Sequence, residues 1–207
     1  MGQRIQFGCG LCAPLSWRNF DAGPAFWLQK HLPFTKSYLV DHGYPNYPPN
    51  IEYGNVISGL PVVAGSADAA YCSHVLEHLA LDEFRATLRN VHTYLRPGGT
   101  FRMVLPDLAW LVREYSNSSD PYAASRFMRE SYLGLESQDD GPRKLMRSFF
   151  GRSAHLWMWD DKNLAAELAA AGFINIRRAQ FGDEPGFEEV ESIHRWENCL
   201  GMNCTKP

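Results

Sequence analysis

Within six residues, Ser73-His74-Val75-Leu76-Glu77-His78 gathers a hydroxyl, two imidazoles and a carboxylate, the groups with which proteins move protons near neutral pH. His74 is the first candidate for a general base, because an imidazole titrates near neutrality and this one leaves an apolar run, Ala69 to Cys72, that reads as a strand. Its structural role would be a hydrogen bond to a bound ligand or a cap on the helix that follows. Glu77 and His78 are open to two readings as well. An acid-histidine pair can ligate a metal; equally, an acid in a first helical turn complements the helix dipole while the histidine packs beneath it, and the second reading weighs more, so no metal is expected. His155 opens a tryptophan-rich stretch and is either a second base or part of a cover. Trp157 and Trp159 alternate as in a half-buried strand and read as core.

A second set of residues is suited to holding a ligand. Arg4-Ile5-Gln6-Phe7 runs into Gly8-Cys9-Gly10, and glycines at a strand end admit a ligand to the backbone or supply a positive φ. Eleven residues past Gly10, Asp21 closes the run Trp17-Arg18-Asn19-Phe20-Asp21, a second strand ending in an acid. In an open α/β sheet, the turn admits a nucleoside and the carboxylate takes its ribose hydroxyls.

These groups need a scaffold, and the chain supplies strands alternating with amphipathic segments, the mark of a parallel sheet covered by helices. Strands are predicted at 4–7, 17–21, 51–56, 69–73 and 100–105, followed by a final pair at 174–181 and 197–204 that reads as antiparallel. Helices are predicted at 24–31 and 74–79. Another follows Asp82 as N-cap, with Phe84, Leu88, Val91 and Leu95 on one face until Pro97-Gly98-Gly99 stops it. A further helix has Asp160 or Asp161 as its cap, Leu164 and Leu168 on its core face, and Gly172 as its left-handed C-cap. Residues 107–158 break the rhythm as short helices at 108–115, 122–133 and 143–150, an insertion at the carboxyl edge of the sheet that reads as a lid. The whole chain, 1–207, reads as one domain.

Composition narrows the function. With 207 residues the chain is long enough for one substantial core, and its 45% hydrophobic content suits a globular protein. A net charge of −3 without a dense basic run argues against a nucleic-acid partner. No apolar run approaches a membrane span or a signal-peptide core. Five scattered cysteines fit reduced thiols, so a cytoplasmic location is expected. Cys9, Cys12, Cys199 and Cys204 could be drawn as a zinc site, but the second pair is loosely spaced and the two pairs fall on different strands.

With these elements in place, the chain resembles the class I S-adenosylmethionine-dependent methyltransferases, most closely their compact bacterial type 11-like group. The resemblance rests on Phe7-Gly8-Cys9-Gly10, Trp17 to Asp21, Ser66-Ala67-Asp68 through Ser73-His74-Val75-Leu76-Glu77-His78-Leu79, and Leu95-Arg96-Pro97-Gly98-Gly99-Thr100-Phe101. It implies a Rossmann-like α/β sheet, mostly parallel with its last strand antiparallel, and a helical insertion after strand five. It also implies that S-adenosylmethionine is the cofactor. Phe7, Gly8, Cys9 and Gly10 would line the methionine half, Asp21 would bind the ribose diol, and Asn55 would face the adenine amino group. Ser73 and His74 would sit beside the sulphonium. Related quinone-type methyltransferases carry an acid-histidine pair at the place of Glu77 and His78.

Two departures stand out. The third glycine is missing, with Cys12 near its place, and six residues between Gly10 and Trp17 leave no room for the usual helix. Losing a helix N-terminus would disable pyrophosphate binding and so disfavours a nicotinamide-dependent oxidoreductase, whereas S-adenosylmethionine has no phosphate to anchor. The expected activity is methylation of a small molecule or glycan, on oxygen, with His74 as base. The alternative is a non-catalytic module of the same fold that has lost its cofactor.

Overall fold

The computed structural model describes residues 2–134 and 154–207. Seven strands form one sheet: β1 (Gln3–Phe7), β2 (Arg18–Asp21), β3 (Ile51–Tyr53), β4 (Ala67–Ser73), β5 (Leu95–Pro106), β6 (Ile174–Ala179) and β7 (Cys199–Thr205). Their order is β3-β2-β1-β4-β5-β7-β6. The pairings β3 to β2, β2 to β1, β1 to β4 and β4 to β5 are parallel, and β7 runs antiparallel to both β5 and β6. This is the Rossmann-like sheet expected from the sequence. The chain reverses its strand order at β1 and β4, whose carboxyl ends open the crevice where such sheets bind ligands.

The two faces of the sheet differ in chemistry. One buries Ile5, Phe7, Phe20, Ala70, Phe101, Met103, Leu200 and Met202. Helix α3 (Leu81–Tyr94) lies on it through Phe84, Leu88 and Val91, and α6 (Asp161–Ala170) through Leu164 and Leu168, as their periodicity predicts. Alternation places Gln6, Asn19, Tyr71, Arg102 and Asn203 on the opposite face, where all five are buried. The segment 180–198 covers that face. Arg102, fully buried, donates to Glu191 and to the Gln180 carbonyl, pairs with Asp183, and lies between the Phe187 and Trp196 rings.

This arrangement explains the short link between β1 and β2, which contains no helix. The Gln6 amide donates to the Cys12 carbonyl (2.7 Å) and to Asn19 Oδ1 (2.5 Å), and Asn19 donates to the carbonyls of Pro14 and Trp17. Two buried side chains thus hold the loop that a helix would otherwise fill.

Several boundaries differ from expectation. Helix α1 (Pro24–His31) forms as predicted, but a second helix, α2 (Thr35–Asp41), follows it. Strand β3 stops at Tyr53. The cap of α3 is Ala80, whose amide donates to Glu83, and Asp82 lies inside the first turn. The helix predicted over 74–79 is only a 3-10 turn, Leu76–His78, because His74 has φ +56° and that left-handed conformation cannot start a helix. Asp160 caps α6 by accepting from the Asn163 amide at 2.7 Å, and Gly172 takes φ +93°. Of the insertion, α4 (Leu108–Ser116) and α5 (Ala123–Glu130) are seen; the helix predicted over 143–150 lies outside the described residues.

Candidate active site

At the end of β1, Gly8 and Gly10 have φ +61° and +56°. A Cβ on Gly8 would come within 2.2 Å of Val75, so only glycine lets the turn pack against the exit of β4. A Cβ on Gly10 would meet nothing within 4 Å, which leaves its backbone open to a ligand. The Gly10 amide donates to Asp21 Oδ2 at 2.9 Å, and the Gly23 amide to Asp21 Oδ1 at 2.7 Å. Asp21 therefore ties the glycine turn to the start of α1. Each carboxylate oxygen keeps acceptor capacity for a hydroxyl. Cys9 is buried between them, and burial, with the Asp21 charge next, pushes its thiol up to about 12. A protonated thiol is a poor nucleophile, so it lines the turn without reacting. Asn55, just past β3, accepts the Ile57 amide on Oδ1 and retains one lone pair.

The left-handed turn at His74 throws its side chain across the end of the sheet. His74 Nδ1 stands 3.3 Å from Glu77 Oε1, and Nε2 lies 3.1 Å from the Arg195 carbonyl and 3.8 Å from Cys199 Sγ. A carbonyl oxygen only accepts, so Nε2 carries a proton in this arrangement, while Nδ1 faces the Glu77 carboxylate at ion-pair distance. The pKa agrees: burial pushes it down, but the Cys199, Glu77 and Arg195 contacts outweigh burial and raise it to about 10. This corrects the expectation that His74 titrates near neutrality.

Glu77 is only 1% exposed, and neither carboxylate oxygen completes a hydrogen bond among the described residues. His155 Nε2 lies 4.0 Å from Oε1. The rings of His78 and His155 meet edge to face with centroids 5.0 Å apart. Backbone bonds clamp the two segments together: Leu156 and Trp157 donate to the Glu77 carbonyl at 2.7 and 3.1 Å, and His78 Nδ1 bonds the Ala154 carbonyl at 3.2 Å. Burial, ahead of the opposing Glu77 charge, holds the His155 pKa below its usual value. Trp159 is core as expected, its ring tilted against Phe84 with centroids 4.2 Å apart, whereas Trp157 is exposed.

His74, Glu77, His78 and His155 line a cavity of about 970 Å³ at the carboxyl ends of β4 and β5. Asp107 and Trp110 from the start of α4, and Tyr132 just past α5, close its sides. Residues of the described part of the insertion thus line the cavity. Asp107 and Arg195 had no signal in the sequence, and Cys199 was weighed only as a zinc ligand, since neither a main-chain carbonyl nor a thiol announces the partner it will meet.

The family model described as a methyltransferase domain matches residues 18–177, starting just after the glycine turn. The chain belongs to the methyltransferase-domain family. Solved structures support the same fold. The chain superposes over its full length on "PigF with SAH" (TM-score 0.52, 16% identity, 56% of that chain). It also superposes in full on a possible histamine N-methyltransferase from Thermotoga maritima (0.52, 14%, 83%). A third match is the structure of a Haloferax volcanii Trm112 methyltransferase activator with a putative methyltransferase (0.51, 13%, 83%). The chain spans little more than half the length of the PigF structure. No curated protein sequence matches it significantly. The sheet is the class I sheet, and the cofactor of that class is S-adenosylmethionine. The residues of this methyltransferase domain fit that cofactor where it can be tested: Gly10 is open, and the strand-end acid stands directly behind it.

Proposed function

We propose that this methyltransferase domain transfers a methyl group from S-adenosylmethionine to a hydroxyl of a small molecule or glycan. The observation that carries this reading is the meeting of two sites at one sheet edge, where Val75 abuts Gly8 and His74 next to it lines the cavity. Phe7, Gly8, Cys9 and Gly10 line the methionine half of the cofactor, and Asp21 accepts the ribose hydroxyls beside its two amide bonds. Asn55 receives the adenine amino group on its remaining lone pair, and Ser73 and His74 flank the sulphonium.

When bound, the cofactor supplies a methyl already made electrophilic by its sulphonium, so the protein's work is alignment and exclusion of water. His74 meets the acceptor oxygen. For Nε2 to take the acceptor's proton, it must first release its own to solvent and turn the freed lone pair from the Arg195 carbonyl to the acceptor, with the Glu77 carboxylate beside Nδ1. The walls from α4, together with Tyr132, shield the cavity.

Isothermal titration of the protein with S-adenosylmethionine and S-adenosylhomocysteine tests the reading. Micromolar binding of both is expected, weakened about 10-fold or more in Asp21→Ala, which loses a charged acceptor. One observation favours the alternative of a non-catalytic module, namely that both Asp21 oxygens already serve backbone amides. Absence of binding to either compound would establish that alternative.

A further inference from the structure

We propose that Glu77, His78 and His155 form a binding site for a divalent transition-metal ion at the floor of the cavity. One ligand-type atom from each of the three lies within 4.8 Å of the others. A tetrahedral set about zinc would have donors about 3.4 Å apart, so small side-chain rotations close the site. Two imidazoles and one carboxylate suit zinc, manganese or iron(II), and not the hard all-oxygen preference of calcium or magnesium.

Three independent features support the assignment. The first is the carboxylate itself. Glu77 is buried to 1% exposure and, among the described residues, both its oxygens lack a hydrogen bond, an arrangement that is costly for a carboxylate unless a cation compensates it. The His74 ring, with Nδ1 3.3 Å from Oε1, approaches one oxygen only, and a bound ion would complete the compensation.

The second is orientation. His78 Nδ1 faces the Ala154 carbonyl, which fixes the proton on Nδ1 and leaves Nε2 with its lone pair, the arrangement metal-ligating histidines almost always show. The third is rigidity. The Glu77 carbonyl receives two amides from Leu156 and Trp157, and the His155 amide donates to the Tyr132 carbonyl. The two donor-bearing segments, far apart in sequence, are thereby fixed to each other by main-chain bonds rather than by side-chain packing.

All three donors line the cavity, so the open coordination positions face the space where an acceptor would lie. An oxygen donor of the acceptor, a hydroxyl above all, would fill one of them. That consequence rests on the proposed methyl-transfer reading; the ion site does not.

The test uses tag-free, chelator-stripped protein titrated with Co2+ and followed by visible absorption. One equivalent should give ligand-field bands that Zn2+ abolishes. Glu77→Gln, which keeps the shape, and His155→Ala should each weaken binding at least ten-fold, whereas His92→Ala, outside the cluster, should not. Substoichiometric Mn2+ on the unmodified protein provides a readout that needs no variant. It should broaden the ring-proton resonances of His78 and His155, with their neighbour His74, and spare the exposed His31, His42 and His194. Absence of stoichiometric Co2+ bands, unchanged binding in Glu77→Gln, or broadening of the surface histidines instead would overturn the site. Because neither readout involves S-adenosylmethionine, failure here and failure of cofactor binding are separate results.

Discussion

His74 shows how a single backbone angle decides what a side chain can do. Were the residue helical, its ring would point along the turn; at φ +56° it spans from the buried Glu77 carboxylate to the Arg195 carbonyl. Its chemistry then depends on those two partners rather than on its intrinsic affinity for a proton. His74→Ala should lower turnover on a hydroxyl acceptor by about 10²- to 10⁴-fold, the usual contribution of a positioned acid-base group. Affinity for S-adenosylmethionine should change little. Titration calorimetry beside initial rates checks both, and an unchanged rate would remove His74 from the chemistry. The residue was legible from its type and from its place after β4. Its protonation was not, because Arg195 and Cys199 reach it from 121 and 125 positions away in sequence.

At the scale of elements, the polar face of the sheet was the least legible part of the chain. Apolar alternation marked the helix-covered face, and the periodicity of Phe84, Leu88 and Val91 announced α3 correctly. Arg102 and Asn203 inside strands do not announce by residue type which environment they face, because hydropathy alone cannot tell water from an internal counter-charge. Yet Arg102 is fully buried, and its partners Asp183 and Glu191 come from a covering segment of turns with a single 3-10 turn, Ile193–Arg195. The left-handed His74 likewise replaced the helix predicted over 74–79, since nothing in local composition forbids a helix there. The covering segment does the work of a helical layer, and Glu191 is its main charged contact with the sheet. Glu191→Ala should destabilise the protein by about 3 kcal/mol, because it leaves a buried guanidinium with one partner fewer. Equilibrium urea unfolding measures this, and a loss below about 1 kcal/mol would show that Asp183 and the Gln180 carbonyl suffice.

For the molecule as a whole, the same covering segment sets how the fold responds to acid. Burial pushes the Asp183 pKa up, but the Gln180 amide and the guanidinium groups of Arg177 and Arg102 outweigh it and hold the carboxyl below its usual value. A carboxylate with a depressed folded-state pKa contributes stability that is fully present above its unfolded pKa of about 3.9 and is lost as pH falls through the folded value. Asp183 joins the polar face to the end of β6 through Arg102 and Arg177, so its protonation loosens the cover over one whole face while α3 and α6 still hold the other. Melting temperature should therefore fall steeply below about pH 4. In Asp183→Asn the fall should be shallower and start from a lower value at neutral pH, because the contribution that acid removes is already gone. Tryptophan fluorescence should register the change early, since Trp17 packs on Phe187 and Trp196 on the Arg102 guanidinium within that cover. Parallel acid limbs for the two proteins would place the acid-sensitive groups elsewhere, in the carboxylates of Glu52 and Glu167 with their arginine partners.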